Sequence, residues 1–468
     1  MHSPRRLLSL LGVALALGCS LAPAAELRIG AAAIDITPPN GIAMAGYYAT
    51  RLAEGTHDPL HAKALVFEQD GVKAALVALD LVTVSRATVE EARRQIARTT
   101  GVKEEAIMIS ATHSHTGPLM NGISVRNAAY GGDLEVAKLY TAALPGKIAA
   151  AVRQAELALV PARLSAAVGS EPSLPFNRRF VMKDGSIGWN PGKLNPNIVR
   201  PTGPIDPAVP VVFAETPAGK PLATYVNFAM HLDTVGGMQF SSDYAFTLAR
   251  ILNQVTTPDM LTVFTIGCAG DINHVNTGIK APQKGHVEAT RIGTILAGEV
   301  LKTYARLEPV ATARPAFRHE LVPLPLPVLA PGEVEKARAF ATRIGSPKDP
   351  TFLEKVWAFK VLDVYGRNGQ PQDVEVQVIS LGRDLAWVGL PGEIFVELGL
   401  AIKAASPFKH TIIAELANGS IGYIPTKRAY AEGNYEPISA RCAEGSGEMI
   451  VDAAVRLLKA LHAEAAAK

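Results

Sequence analysis

The stretch Ser110-Ala111-Thr112-His113-Ser114-His115-Thr116-Gly117-Pro118 places two imidazoles two residues apart where an apolar strand runs out. The preceding Ala106-Ile107-Met108-Ile109-Ser110 reads as that strand, along which residues i and i+2 share a face. Thr116-Gly117-Pro118 ends regular structure, so the pair sits at a strand-to-loop junction. His113 and His115 either converge on one ion, or divide between ligation and proton handling, or are two hydrogen-bonded loop histidines. The pair alone leaves these open.

Working outward, short apolar strands alternate with turn signals. Leu27 to Ala33 reads as a strand, and Ala62 to Glu68 with Lys73 to Leu81 as a hairpin around Gln69-Asp70-Gly71. A helix is expected from Ala87 to Ala97, and a second over the Ala-rich segment Leu134 to Leu157. A further hairpin joins Val209 to Glu215 with Leu222 to Asn227. Helices near Phe246 to Val255 and Val287 to Arg306 flank a buried strand, Leu261 to Ile266. Pro309 to Pro331 is Pro-rich, either a linker or an extended strand crossing the surface. Beyond it come strands Glu375 to Leu381 and Ala386 to Leu390, a helix Ile394 to Ala404, a strand Thr411 to Leu416 and a last helix Met449 to Ala463. Strands and helices intermix without strict βαβ alternation, which predicts a layered α/β fold with a mixed sheet.

The chain has 468 residues, 48% hydrophobic and 19% charged, enough for a large packed core. A net charge of +3 is too small for a chain of this size to suggest a nucleic-acid partner, and none is expected. Arg5 and Arg6 before the apolar run Leu7 to Leu17, then Ala22-Pro23-Ala24-Ala25, read as an export signal over residues 1–25, with a periplasmic or secreted mature chain of 26–468. Leu17-Gly18-Cys19 offers a second processing site, with Cys19 as a lipidated residue. Export leaves Cys268 and Cys442 as the thiols, either paired in a disulfide or buried separately. The absence of a Gly-x-Ser-x-Gly elbow excludes that class of serine hydrolase. No strongly basic amphipathic helix advertises a membrane surface, and contact with one stays open.

Other strand ends carry further polar residues. His231 closes Ala223 to Met230, as a ligand or as a satisfied core histidine. Glu393 follows Leu390-Pro391-Gly392, as a ligand or as a first-turn acid on the helix dipole. Tyr423 follows a Gly-rich turn, Tyr435 lies in Gly433-Asn434-Tyr435-Glu436, and Asp271 in Gly270-Asp271-Ile272-Asn273. Ends of this kind are where α/β sheets place their sites.

Thr112-His113-Ser114-His115-Thr116-Gly117-Pro118, Phe228-Ala229-Met230-His231, Ser242-Asp243, Gly270-Asp271, Pro391-Gly392-Glu393 and the Tyr423 to Tyr435 pair stand in the same order as in neutral, non-lysosomal ceramidases, which this chain resembles. Asp35-Ile36-Thr37, Met44-Ala45-Gly46-Tyr47 and His57 to Ala64 add to the resemblance, which runs from about Gly30 to Ala453. It implies a zinc-dependent amidase whose ion is held by His113, His231, Glu393 and Tyr423. It further implies His115 as a proton-handling group, with Arg178 and Tyr435 at the reacting carbonyl and Asp271 among the catalytic residues. The implied substrate is N-acylsphingosine. Zinc would bring a water into the neutral pKa range, and a nearby donor would stabilise the oxyanion.

Departures from the family pattern bear on the substrate. Asn273 stands where the family carries a serine that contacts substrate hydroxyls, the loop between His231 and Asp271 is short, and Ile438-Ser439-Ala440-Arg441-Cys442 differs. No trailing immunoglobulin-like domain is expected. The alternatives are therefore a zinc amidase on another N-acyl amine or acylated sugar, and a non-catalytic periplasmic binding protein on the same fold.

Overall fold

Strands that are apolar on both faces need cover on both sides, and this requirement organises the molecule. In the computed structural model, which describes residues 26–311 and 314–466, the first sheet contains Arg28–Asp35, His61–Gln69, Val72–Leu79 and Ile107–Ala111. Ala62↔Leu79 pairing makes the expected antiparallel hairpin, and Leu76↔Met108 pairing is parallel. Helix Glu135–Leu157 packs across this sheet, with helix Arg86–Thr100 beside it. Gly30 permits the close approach, since a Cβ there would lie 1.8 Å from the Ala155 carbonyl oxygen.

The second sheet carries Arg163–Ser170, Ala208–Glu215, Pro221–Phe228 and Leu261–Ile266, the last two parallel. It packs against the first, and helices Tyr244–Val255 and His286–Tyr304 cover it. The layers therefore run helix, sheet, sheet, helix around one apolar cluster that includes Ile29, Val66, Ile109, Val226, Phe264 and Trp387. The layered, mixed α/β reading of the sequence agrees with this arrangement.

A third sheet joins Pro315–Leu324, Gln372–Leu381, Leu385–Gly389 and His410–Ala414. The Pro-rich segment thus contributes an edge strand, the place where a sheet tolerates residues without an N–H. Buried Asn418 ties this sheet to the first. Its Oδ1 accepts from Ile109 N–H (3.0 Å), its own N–H donates to the Ile109 carbonyl (2.7 Å), and its Nδ2 donates to Gln377 Oε1 (2.7 Å).

Two helices between the Pro-rich strand and Gln372 have no counterpart in the sequence reading: Glu333–Ala341 and Phe352–Gly366. The second has a full capping box, Thr351 with Glu354. Helix Val396–Ala405 begins later than expected, so Glu393 lies on a two-residue strand before it and is not a first-turn acid. Cys268 and Cys442 are both buried free thiols, which settles the disulfide alternative in favour of separate burial. Cys268 packs at Gly399, while the Tyr430 hydroxyl donates to the Cys442 carbonyl. The export signal and Cys19 lie outside the described residues. Among those residues no helix is long and apolar enough to cross a membrane.

Candidate metal centre

Each sheet contains a parallel pair whose C-terminal ends point the same way, and the residues after those ends meet. His113 follows Ile107–Ala111, His231 follows Pro221–Phe228, Glu393 follows Leu385–Gly389 and Tyr423 follows His410–Ala414. Glu393 and Tyr423 stand directly opposite each other in a short parallel bridge. Gly270 lets the loops close, because a Cβ there would meet the Glu393 carbonyl at 2.5 Å.

His113 holds a left-handed backbone (φ 73°), an arrangement that costs a non-glycine residue about 1–3 kcal/mol. Its N–H donates to the Leu81 carbonyl (2.9 Å) and its Nδ1 to the Val82 carbonyl (2.8 Å). His231 Nδ1 likewise donates to the Ile272 carbonyl (3.0 Å). Both rings are thereby fixed as the tautomer whose Nε2 carries a lone pair. Those two lone pairs face one oxygen, Glu393 Oε2, at 3.4 and 3.3 Å. Proximity alone would suggest ion pairs, but neither nitrogen has a proton to offer in this tautomer, and Oε2 is buried without a donor among the described residues. Lone pairs converging in this way form a group that could hold a cation, and nitrogen and carboxylate donors of this kind suit zinc.

His115 completes a group of three imidazoles whose ligand atoms lie within 4.8 Å of one another. Its Nε2 is 3.2 Å from His113 Nε2, its Nδ1 has no partner among the described residues, and its ring meets Tyr47 edge-on at 5.6 Å. Gly46 beneath it must be glycine: its φ is 96°, and a Cβ would lie 2.6 Å from the imidazole. Burial, reinforced by His113, holds the His115 pKa well below the ordinary imidazole value.

Arg178 donates through Nε to Glu436 Oε1 (2.8 Å) and through Nη2 to the Gly270 carbonyl (2.7 Å), and its Nη1 stands 3.3 Å from His231 Nε2. Its guanidinium lies 5.4 and 5.9 Å from the rings of Tyr423 and Tyr435. Burial opposes its charge, yet Tyr423 and Glu436 hold its pKa well above the ordinary value. Burial also raises the Tyr423 hydroxyl pKa, with Glu393 adding to the effect. Tyr435 packs against Tyr423, Trp189 and Phe352. His113, His115, Glu393, Tyr423 and Tyr435 line one cavity of about 270 Å³.

Four residues singled out in the sequence lie outside that lining: His231 and Arg178, buried directly behind it, and Asp271 and Asn273. Asp271 uses both carboxylate oxygens in the frame: Oδ1 accepts from Val396 N–H (2.9 Å), opening a helix, and Oδ2 from Asn177 Nδ2 (2.8 Å). Asn273 is buried, donating to Asn190 Oδ1 (3.1 Å) and accepting from Val275 N–H (3.0 Å). The sequence reading passed over Glu436, which bridges Arg178 and Arg179, and the His274–Asp233 pair (3.0 Å) behind His115. A tandem Arg-Arg at the end of an apolar segment was the available signal for Glu436, since two buried guanidiniums need a carboxylate.

Burial raises the carboxyl pKa of Asp271, and separately that of Asp243, to about 6. Between the unfolded value near 3.8 and about 6, the folded state keeps a proton that the unfolded chain has released. Stability therefore falls as pH rises through this window, by up to about 3 kcal/mol per group. Asp271→Asn should flatten that slope in urea titrations from pH 4 to 7, and an unchanged slope would contradict the assignment.

No protein-family model matches the sequence, and no curated protein is significantly similar to it. Solved structures do resemble it. The neutral ceramidase from Pseudomonas aeruginosa superposes with a TM-score of 0.74 at 21% identity, over 94% of this chain and 75% of that one. A ceramidase complexed with C2 gives 0.73 at 20% identity, over 94% and 76%. The chain thus has the fold of the bacterial neutral ceramidases.

Proposed function

We propose that this chain is a zinc-dependent amidohydrolase that releases a carboxylic acid from an N-acylated amine, with residues 26–468 forming one catalytic unit. The reading rests on the three convergent lone pairs of His113, His231 and Glu393 at a polar cavity, on a fold whose solved neighbours are named ceramidases. N-acylsphingosine is accordingly the reference substrate. Other N-acyl amines stay within the reading, because Asn273 is turned to Asn190 and is absent from the cavity wall. The substrate is a small lipid or N-acyl amide, met outside the cytoplasm if the leader is processed as expected.

His113, His231, Glu393 and Tyr423 would hold the ion. Zinc, when bound, supplies a Lewis acid and brings a water's pKa near neutrality. The carbonyls of Val82 and Ile272 keep both ligand imidazoles in the required tautomer. His115, held neutral by its surroundings, can take a proton from the attacking water at Nε2 and return it to the leaving nitrogen. Arg178, permanently charged and buried behind His231, would favour the negative charge that develops on the carbonyl oxygen through its field, and Tyr435 adds a hydroxyl from the cavity wall.

The test is acid release from a short-chain ceramide and from N-acylethanolamines by the purified chain. Hydrolysis of none of them would return the fold to a binding role. Arg178→Ala should retain zinc while kcat falls about 10²- to 10³-fold; zinc loss in parallel with activity would instead make Arg178 part of the metal site.

A further inference from the structure

The cavity carries more positive charge than its ligand set requires. Arg126, Arg367 and Arg441 line it, against the two carboxylates Asp363 and Glu393. Asp363 neutralises Arg441 at 2.7 Å, and Glu393 is committed to the histidines. Arg367 is satisfied by the carbonyls of Gln370 and Pro371. Arg126 differs from both. Its contacts are Asn127 Oδ1 at a long 3.5 Å and Tyr48, over whose ring it lies at 5.1 Å. Among the described residues no carboxylate pairs with it. Burial opposes its charge, and Tyr48, Tyr435 and Glu393 nevertheless keep it firmly protonated. The group is also held in place. Ser124 caps the turn Val125–Asn127, and Asp363 Oδ1 accepts from Val125 N–H at 2.9 Å.

A half-buried guanidinium that faces a cavity with no protein anion gains most from an anionic ligand, and its planar fork matches a carboxylate. Ceramide offers no such group. A volume of about 270 Å³ is also small for a two-chain lipid, whereas Ile123, Val364 and Ile421 provide an apolar wall for one short acyl chain.

We propose that Arg126 binds a carboxylate on the substrate and that the site takes N-acyl amino acids, in which that carboxylate stands one carbon from the amide nitrogen. The inference rests on the amidohydrolase reading. Water oxygen bonds to the acyl carbon, the C–N bond breaks, the nitrogen takes a proton, and a carboxylic acid and a free amino acid leave.

The experiment compares N-octanoylglycine with N-octanoylglycinamide on the zinc-loaded full chain, by acid release and by calorimetric binding, for the wild type, Arg126→Ala and Arg126→Lys. The wild type should favour the acid over the amide in kcat/KM by about 10- to 100-fold. That ratio should collapse towards one in Arg126→Ala and recover in part in Arg126→Lys. Equal use of both compounds by the wild type, or an unaltered ratio in Arg126→Ala, overturns the proposal. If neither compound is hydrolysed, the amidohydrolase reading fails for this class, and calorimetry still decides: acid-selective binding lost in Arg126→Ala upholds the carboxylate site, and equal binding overturns it. Arg126→Gln serves if the alanine variant does not fold.

Discussion

Glu393→Ala and His113→Ala are each expected to abolish zinc binding and to lower amide hydrolysis by three or more powers of ten. Glu393 Oε2 is the oxygen on which both fixed Nε2 lone pairs converge, so its removal deletes the negative charge at that point. His113 supplies a lone pair that the Val82 carbonyl has already oriented. A Lewis acid contributes several kcal/mol to transition-state stabilisation, and each 1.36 kcal/mol is tenfold in rate. The strained φ of His113 adds a second effect: His113→Gly should relieve the backbone and melt at a higher temperature than His113→Ala, while losing the metal as well. Metal analysis beside thermal melts of both variants separates ligand loss from unfolding. Full activity in either alanine variant would remove that residue from the metal site.

Glu436→Ala is expected to cost about 3–5 kcal/mol of stability. Glu436 is fully buried and accepts from Arg178 Nε and Arg179 Nη1, both at 2.8 Å. Without it, Arg179 keeps Glu432 (3.2 Å) and the Gly433 carbonyl (3.0 Å), but Arg178 keeps the Gly270 carbonyl and the Tyr423 hydroxyl and loses its carboxylate. Two guanidiniums are then buried with too little counter-charge. Glu436→Gln retains an acceptor and should lose less. Urea denaturation measures both, and a loss under about 1 kcal/mol, the value of an exposed ion pair, would contradict this account of the site's frame.

The parts of the fold that were legible share a physical cause. The hairpin His61–Gln69 with Val72–Leu79 and the strand Leu261–Ile266 are apolar runs bounded by turn residues, a pattern written locally. Helix Phe352–Gly366 escaped because Val356, Phe359, Val361 and Val364 leave apolar residues around much of its circumference, so no single stripe announces it. Yet this helix walls the cavity through Asp363 and Val364 and packs Phe352 on Tyr435. Glu393 illustrates the converse. Its position before a helix suggested a dipole partner, and only the pairing of Glu393 with Tyr423 across two short strands brings it to the histidines. Asp271 and Asn273 were drawn towards the site by motif order, but their side chains are consumed by Asn177, Val396 and Asn190. Arg126, in a one-turn segment without periodicity, left no sequence signal at all.

The most direct test of the metal-dependent hydrolase is a zinc titration of chelator-treated protein, with bound metal and acid release from an N-acyl amine recorded on the same samples. Activity should return in proportion to zinc and level off at one equivalent per chain. Full hydrolysis by the metal-free protein, or one equivalent of bound zinc without hydrolysis of any amide, would contradict the assignment.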